Sequence, residues 1–115
     1  MKTDIENRVH LGSRIHVAPH TILVLKADQN YTEIILTDGS KILSSTTMGK
    51  IEKRLEDYNF FRPNRSTIIN LEYFQRLQKA VSSSVIEMKK IGKEMVCPIT
   101  VSRRRLPSFL AQIES

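Results

Sequence analysis

The stretch that most constrains this chain is Phe60-Phe61-Arg62-Pro63-Asn64-Arg65-Ser66-Thr67-Ile68-Ile69-Asn70. An aromatic pair anchors one end and a β-branched run anchors the other, so a polar loop is held between two segments that bury. Pro63 fixes its own φ and pushes Arg62 into an extended conformation. Thr67, Ile68 and Ile69 favour a strand. Asn64, Arg65 and Ser66 then carry donors and acceptors at set positions, with no apolar surface to cover. Such a loop suits the display of side chains to a partner. An ordinary helix-to-strand connection with a solvated arginine fits these residues alone about equally well.

The rest of the chain is a series of short strand signals. Residues 1–12 are polar without clear periodicity and read as a flexible lead-in to a single domain over 13–115. Ser13 to Val17 is a strand candidate stopped by Pro19. His20 to Ala27 is the next, and its unbroken Ile22-Leu23-Val24-Leu25 core implies burial on both faces. Asp28-Gln29-Asn30 is a turn cluster, followed by a strand from Tyr31 to Thr37. Asp38-Gly39 then closes a hairpin onto Ser40 to Ser44. Thr46 and Thr47 offer N-cap hydroxyls, and Met48, Ile51, Leu55 and Tyr58 recur at helical spacing, which predicts a helix over 47–58. A single turn at Asn70–Tyr73 follows. Two hairpins come next: Phe74–Ala80 with Val85–Lys89 across Ser82-Ser83-Ser84, and Val85–Lys89 with Glu94–Thr100 across Ile91-Gly92-Lys93. Leu106, Phe109, Leu110 and Ile113 share one face of a C-terminal helix, and Pro107 suits its first position. The architecture is mostly β: short antiparallel strands in stacked sheets, one middle helix and one C-terminal helix.

Charge narrows the function. Residues 1–59 hold eight Lys or Arg and eight Asp or Glu, whereas residues 60–115 hold ten and four and so carry the whole net charge of +6. A lopsided basic excess and an isoelectric point near 9.7 point to a polyanionic partner. Nucleic acid fits better than lipid, because no basic helix with a wide apolar face appears. The longest apolar runs are far too short to span a bilayer, and Met1 to Glu6 lacks the apolar core of a signal peptide. Cys97, the one cysteine, excludes an intrachain disulfide and a zinc framework, and reads as a small core residue. A cytoplasmic protein is the expectation.

Arg103-Arg104-Arg105 stands just before the C-terminal helix. There the helix dipole is positive and repels each cation by about 0.3–1 kcal/mol. Residues that break a local rule without visible gain are often functional. Arginine at such a place can grip phosphate or fork onto a guanine edge. All three pointing into water is the alternative. No catalytic machinery emerges: His16 and His20 flank Pro19 on separate strands, which disfavours a metal site. The four glycines are scattered and form no phosphate loop. Neither an enzyme nor a cofactor is expected.

Several segments together resemble the LytTR family of DNA-binding domains, in order over about residues 13–113. They are Leu25-Lys26-Ala27-Asp28-Gln29-Asn30-Tyr31-Thr32-Glu33-Ile34, Asp38-Gly39-Ser40-Lys41, Thr47-Met48-Gly49-Lys50-Ile51-Glu52, Phe60 to Ser66, and Val101-Ser102-Arg103-Arg104. The resemblance implies an elongated β-β-β sandwich of three antiparallel sheets with small helices. It also implies DNA contact through loops at the sheet edges, on double-stranded sites of imperfect direct repeats. Base contacts carry over to Tyr31, Arg65 and Arg103, and backbone contacts to Asn30, Asn64, Ser66, Ser102 and Arg104. Family members are typically the output half of response regulators. These residues hold no receiver domain and no phosphoacceptor aspartate, so the expectation is either an excised output domain or a regulator made of this module alone.

The reading is therefore a sequence-specific, double-stranded DNA-binding transcriptional regulator using edge loops in successive grooves. A sensor kinase or receiver-bearing partner, and a dimer on DNA, stay open. The alternative is a β-rich RNA-binding or protein-interaction module. An RNA binder should expose aromatics on a sheet face, whereas Phe60, Phe61 and Phe109 are better spent in the core. The charge distribution yields a prediction. If the basic half docks on about five phosphates, log K falls with log salt with a slope near −4.5. A titration with affinity retained in high salt would count against backbone docking.

Overall fold

Ile22-Leu23-Val24-Leu25 lies in the central strand of a central sheet, which is why no polar residue interrupts it. The computed structural model describes residues 8–12, 15–79, 83–89 and 98–114. In chain order the elements are β1 (Val9–Gly12), β2 (Ile15–Val17), β3 (Ile22–Asp28), β4 (Tyr31–Leu36), β5 (Lys41–Ser44), α1 (Met48–Arg54), β6 (Phe60–Asn64), β7 (Thr67–Asn70), β8 (Phe74–Lys79), β9 (Ser84–Met88), β10 (Ile99–Val101) and α2 (Leu106–Glu114). The described strands form a two-stranded sheet β1-β2, a five-stranded sheet β5-β4-β3-β7-β6 and a three-stranded sheet β10-β9-β8. All pairings are antiparallel.

The five-stranded sheet is the middle layer. On one face, β1 and α1 cover it: Val9, Leu11, Met48, Ile51 and Leu55 pack with Ile22, Leu25, Ile34 and Ile68. On the other, β9, β10 and α2 cover it, with Ile86, Met88, Ile99, Val101 and Phe109 against Leu23, Val24, Ile35 and Ile69. Phe109 meets Phe61 and Phe74 at centroid distances of 5.2 and 5.5 Å, within the favourable range for tilted rings. A bulge shifts which residues of β3 face each core. Ile22 pairs with Leu36 and Val24 with Ile35, so β3 carries one extra residue there. As a result Leu23 and Val24 both contribute to the second core, while Ile22 and Leu25 contribute to the first.

Several local expectations meet the structure directly. Asp38 accepts hydrogen bonds from the Ser40 hydroxyl and amide at 2.5 and 2.9 Å. These bonds, the hydroxyl's first, hold its carboxyl below the usual carboxylate range. Gly39 takes a positive φ of 89° between the strands they join. Asn70 opens the single turn at Leu71–Tyr73: its side-chain oxygen accepts from the Glu72 amide at 3.0 Å. Its amide donates to the Ile22 carbonyl at 2.9 Å, which satisfies a polar side chain only 2% exposed.

Four expectations change. The last residues of the expected lead-in form β1, because Val9 and Leu11 alternate with His10 over a span too short to stand out in the sequence. The Ser44 hydroxyl donates to the Leu11 carbonyl. Gly12 adopts φ +124°, where a Cβ would strike the Ser44 and Thr46 hydroxyls. The middle helix ends at Arg54 rather than at residue 58. Asp57, Tyr58 and Asn59 are weak helix formers, and the turn there brings Tyr58 and Phe60 onto the same core as Ile51. Thr47 holds the N-cap position but makes no side-chain cap bond. Pro107 is second in α2, still in the first turn where its missing N–H costs nothing. Cys97 and the turn expected at Ile91–Lys93 lie outside the described residues. No helix among the described residues is long and apolar enough to cross a membrane.

Leu11 is wholly buried, which gives a test of β1 as part of the core. Leu11→Ala should lower unfolding free energy by about 2–5 kcal/mol in a urea titration. A loss under about 0.5 kcal/mol, the scale of an exposed site, would mean that β1 is dispensable.

Candidate nucleic-acid interface

Three turns carry the side chains singled out above. The first joins β3 to β4, where Asp28 pairs with Tyr31 and leaves a two-residue loop, Gln29-Asn30. Gln29 takes φ 56°, a left-handed conformation that costs a side-chain-bearing residue about 1–2 kcal/mol. Asn30 is exposed, and Tyr31 stands at the mouth of β4 with 49% of its surface in solvent.

The second joins β6 to β7. Asn64 pairs with Thr67 across a two-residue loop, Arg65-Ser66. The Asn64 side-chain oxygen accepts from the Ser66 amide at 2.9 Å and its hydroxyl at 3.1 Å, a local substitute for a backbone turn. The same side chain donates to the Thr100 carbonyl at 2.6 Å. Arg62 donates one nitrogen to Glu52 of α1 at 2.9 Å and another to the Arg65 carbonyl at 2.5 Å. The loop is thus braced from two sides. Arg65 and Ser66 are exposed, and the Arg65 side chain makes no bond among the described residues.

The third lies between β10 and α2. The Ser102 amide donates to the Pro63 carbonyl at 2.9 Å, and the Ser102 carbonyl accepts from the Arg105 and Leu106 amides, both at 3.1 Å. This tight turn separates three arginines that look equivalent in the sequence. Arg103 and Arg104 are exposed. Arg105 turns inward, donating to the Arg62 carbonyl at 2.9 Å and reaching the Asn64 carbonyl at 3.5 Å.

The three turns adjoin. The Ala27 amide donates to the Ser66 carbonyl at 2.8 Å, and Lys26 pairs with Thr67, so the first turn lies beside the second. Asn64 and Pro63 tie the second to Thr100 and Ser102, so it lies beside the third. Register adds a residue that the sequence did not single out. Lys79 pairs with Ser84, and Ser84 with Val101, which brings exposed Lys79 to the same end as Ser102. Lys89 lies at the other end of β9, its amide on the Tyr73 carbonyl at 2.6 Å. The positioning parts played by Arg62 and Arg105 were also invisible beforehand, because each depends on a carbonyl distant in sequence or in an unformed turn. His16 stacks on His10 across β1-β2 at 4.7 Å, away from these turns.

This end of the molecule combines exposed guanidinium groups at Arg65, Arg103 and Arg104 with a ring at Tyr31 and amides at Gln29 and Asn30. Asp28 is the one carboxylate in the three turns. Such a set can donate forked hydrogen bonds to phosphates or base edges.

Comparison with known proteins agrees in kind. The profile of the LytTr DNA-binding domain matches residues 12–114. Among solved structures the chain is similar to the LytTr DNA-binding domain of a protein described as a methyl-accepting/DNA response regulator from Bacillus cereus. The TM-score is 0.74 at 18% identity, covering 95% of this chain and 98% of that one. None of the curated proteins matches significantly.

The bracing of the second turn can be tested without any ligand. Asn64→Ala removes the acceptor for Ser66 and the donor to Thr100, and should cost about 1–3 kcal/mol of stability. NMR shifts should spread to Ser66, Thr100 and Ser102. Changes confined to residues 63–65 would show that the two turns are not coupled through this side chain.

Proposed function

The chain belongs to the LytTr DNA-binding domain family, and from that premise we propose that it docks on duplex DNA through the three adjoining turns. The observation that carries this reading is their junction: the Ala27–Ser66 and Asn64–Thr100 hydrogen bonds join segments far apart in sequence. The protein is a DNA-binding transcriptional regulator of the response-regulator output type. In the proposed mechanism Tyr31, Arg65 and Arg103 meet base edges. Asn30, Ser66, Ser102 and Arg104 meet the phosphate backbone, where such contacts set register. Asn64 belongs with them, chiefly by shaping the turn, since its amide is already engaged. Lys79 joins the backbone set.

The helices do not suit the reading role. α1 spends Met48 and Ile51 on the first core and α2 spends Phe109 on the second, and α1 ends after seven residues. Loops at different heights along one end reach successive grooves on one face of the duplex, and bending helps the outer loops engage. On this reading the site is a pair of imperfect direct repeats, occupied by two copies or by one copy with a receiver-bearing partner. The protein then works in the cytoplasm. A stacking RNA binder is less favoured, because Tyr31 is the one large aromatic exposed among the described residues.

Two comparisons test the assignment on a duplex selected from a random library. Arg65→Ala and Arg103→Ala should each cost about 1–3 kcal/mol and relax discrimination at one or two base positions, with footprints that weaken at different segments of the site. Equal losses on specific and random duplex would demote both residues to backbone contacts. In the second comparison, Lys79→Ala should weaken binding on all sequences and lower the salt slope by about one, while Lys89→Ala leaves both unchanged. The reverse result would place the DNA at the opposite end of the third sheet.

A further inference from the structure

Residues of α1, β6 and α2, with Arg62 and Arg105 among the lining, border an open cavity of about 640 Å3, within the size range of small-molecule sites. The half-buried Phe60 and Phe61 are its accessible apolar lining, over the buried Leu55 and Ile68. Its charged lining is Lys53, Arg62 and Arg105 against Glu52 and Glu56. Glu52 is already bound by Arg62 at 2.9 Å, so the remaining balance is cationic. Two guanidinium groups are incompletely used. Nε of Arg62 is buried without an acceptor among the described residues, a costly arrangement. Arg105 engages protein carbonyls through one terminal nitrogen, which leaves its other donors for a ligand.

We propose that this cavity is an effector site for a small organic carboxylate with an aromatic or aliphatic body, and that the carboxylate, by drawing on Arg62 and Arg105, changes DNA affinity. The carboxylate bonds Arg105 and Lys53 and competes with Glu52 for Arg62, while the body covers the Phe60 and Phe61 rings. Coupling follows from what the two arginines already hold. Arg62 is bonded to the Arg65 carbonyl and Arg105 to the Arg62 carbonyl, so any ligand that re-aims either one acts on the turn that presents Arg65. The effector half rests on the DNA-binding reading; the cavity half does not. Reciprocity requires that bound DNA change ligand affinity by the same factor.

The test uses 3-phenylpropionate as the probe, titrated into the full chain labelled with 15N. The expected result is saturable shifts at amides in 49–62 and 105–112, with 3-phenylpropanol binding about tenfold more weakly, the worth of one charge-assisted hydrogen bond. Gly49 lines the cavity, and a Cβ there meets no atom within 4 Å, so Gly49→Phe can fill the space. That variant should lose the probe and keep its DNA affinity. Lys53→Gln should weaken the probe while leaving the fold intact. Fluorescence anisotropy should show DNA affinity changed about fivefold or more at saturating probe.

Absence of saturable shifts overturns the proposal. So do shifts confined to Tyr31, Arg65 and Arg103, equal binding of inorganic phosphate, equal binding of the alcohol, or undiminished binding by Gly49→Phe. Unchanged DNA affinity at saturation overturns the effector half. A chain that binds no duplex with or without probe overturns that half together with the DNA-binding reading, and the NMR shifts then decide the cavity alone.

Discussion

Burial of β3 on both faces is the constraint on which the rest of this structure depends. An antiparallel sheet with one wet face could have been built from alternating residues. This one cannot expose either face, because Ile22, Leu23, Val24 and Leu25 are all at 2% exposure or less. It needs a cover on each side. β1 and α1 provide one, and β9, β10 and α2 provide the other. Full burial of a Leu, Ile or Val side chain contributes about 1.5–3 kcal/mol, so the four residues of this run outweigh any single hydrogen bond in the molecule. The layers in turn set which loops can meet: β10 is brought next to β6 only because the third sheet must lie across the second core.

The arginines divide according to that geometry. Arg62 and Arg105 spend their donors on carbonyls and on Glu52, and Arg62 keeps only 19% of its side chain exposed. They brace the turns. Arg65, Arg103 and Arg104 stand outside the braced frame and face solvent. A loop ordinarily gives a less exact placement than a helix or strand. Here Asn64 compensates, since one amide side chain both closes its own turn and ties it to Thr100. Rigidity at the display site is supplied by side chain-to-backbone bonds rather than by regular secondary structure.

How far the sequence could be read follows from which forces are local. The Gln29-Asn30 turn, the Asp38-Gly39 hairpin and the Asn70 turn were legible because their chemistry lies within three or four residues. The two-sided burial of β3 was legible because it leaves an uninterrupted apolar run. β1 was not, since Val9 and Leu11 make too brief an alternation to outweigh the polar residues around them. The end of α1 at Arg54 was missed for a different reason. Tyr58 keeps the helical spacing, yet it reaches the core through a turn and not through the helix. Of the site, the exposed positions of Arg65 and Arg103 were expected. The inward turn of Arg105 was not, because the carbonyls it bonds belong to a strand about forty residues earlier.

The same division explains why three adjacent arginines before a helix are tolerated. Cations at a helix start are disfavoured by the dipole, and an unrelieved cluster would strain the turn. Arg105 escapes the penalty by bonding carbonyl oxygens of Arg62 and Asn64, whose partial negative charge replaces water. The Ser102 carbonyl accepts from the Arg105 and Leu106 amides, which fixes the turn before the helix begins. Of the three, Arg103 and Arg104 are left facing solvent, with no protein acceptor among the described residues. Their residual repulsion is small in water and is relieved by an anion. A fold that settles one arginine internally and leaves two in solvent keeps its unfavourable electrostatics where water and counter-ions screen them.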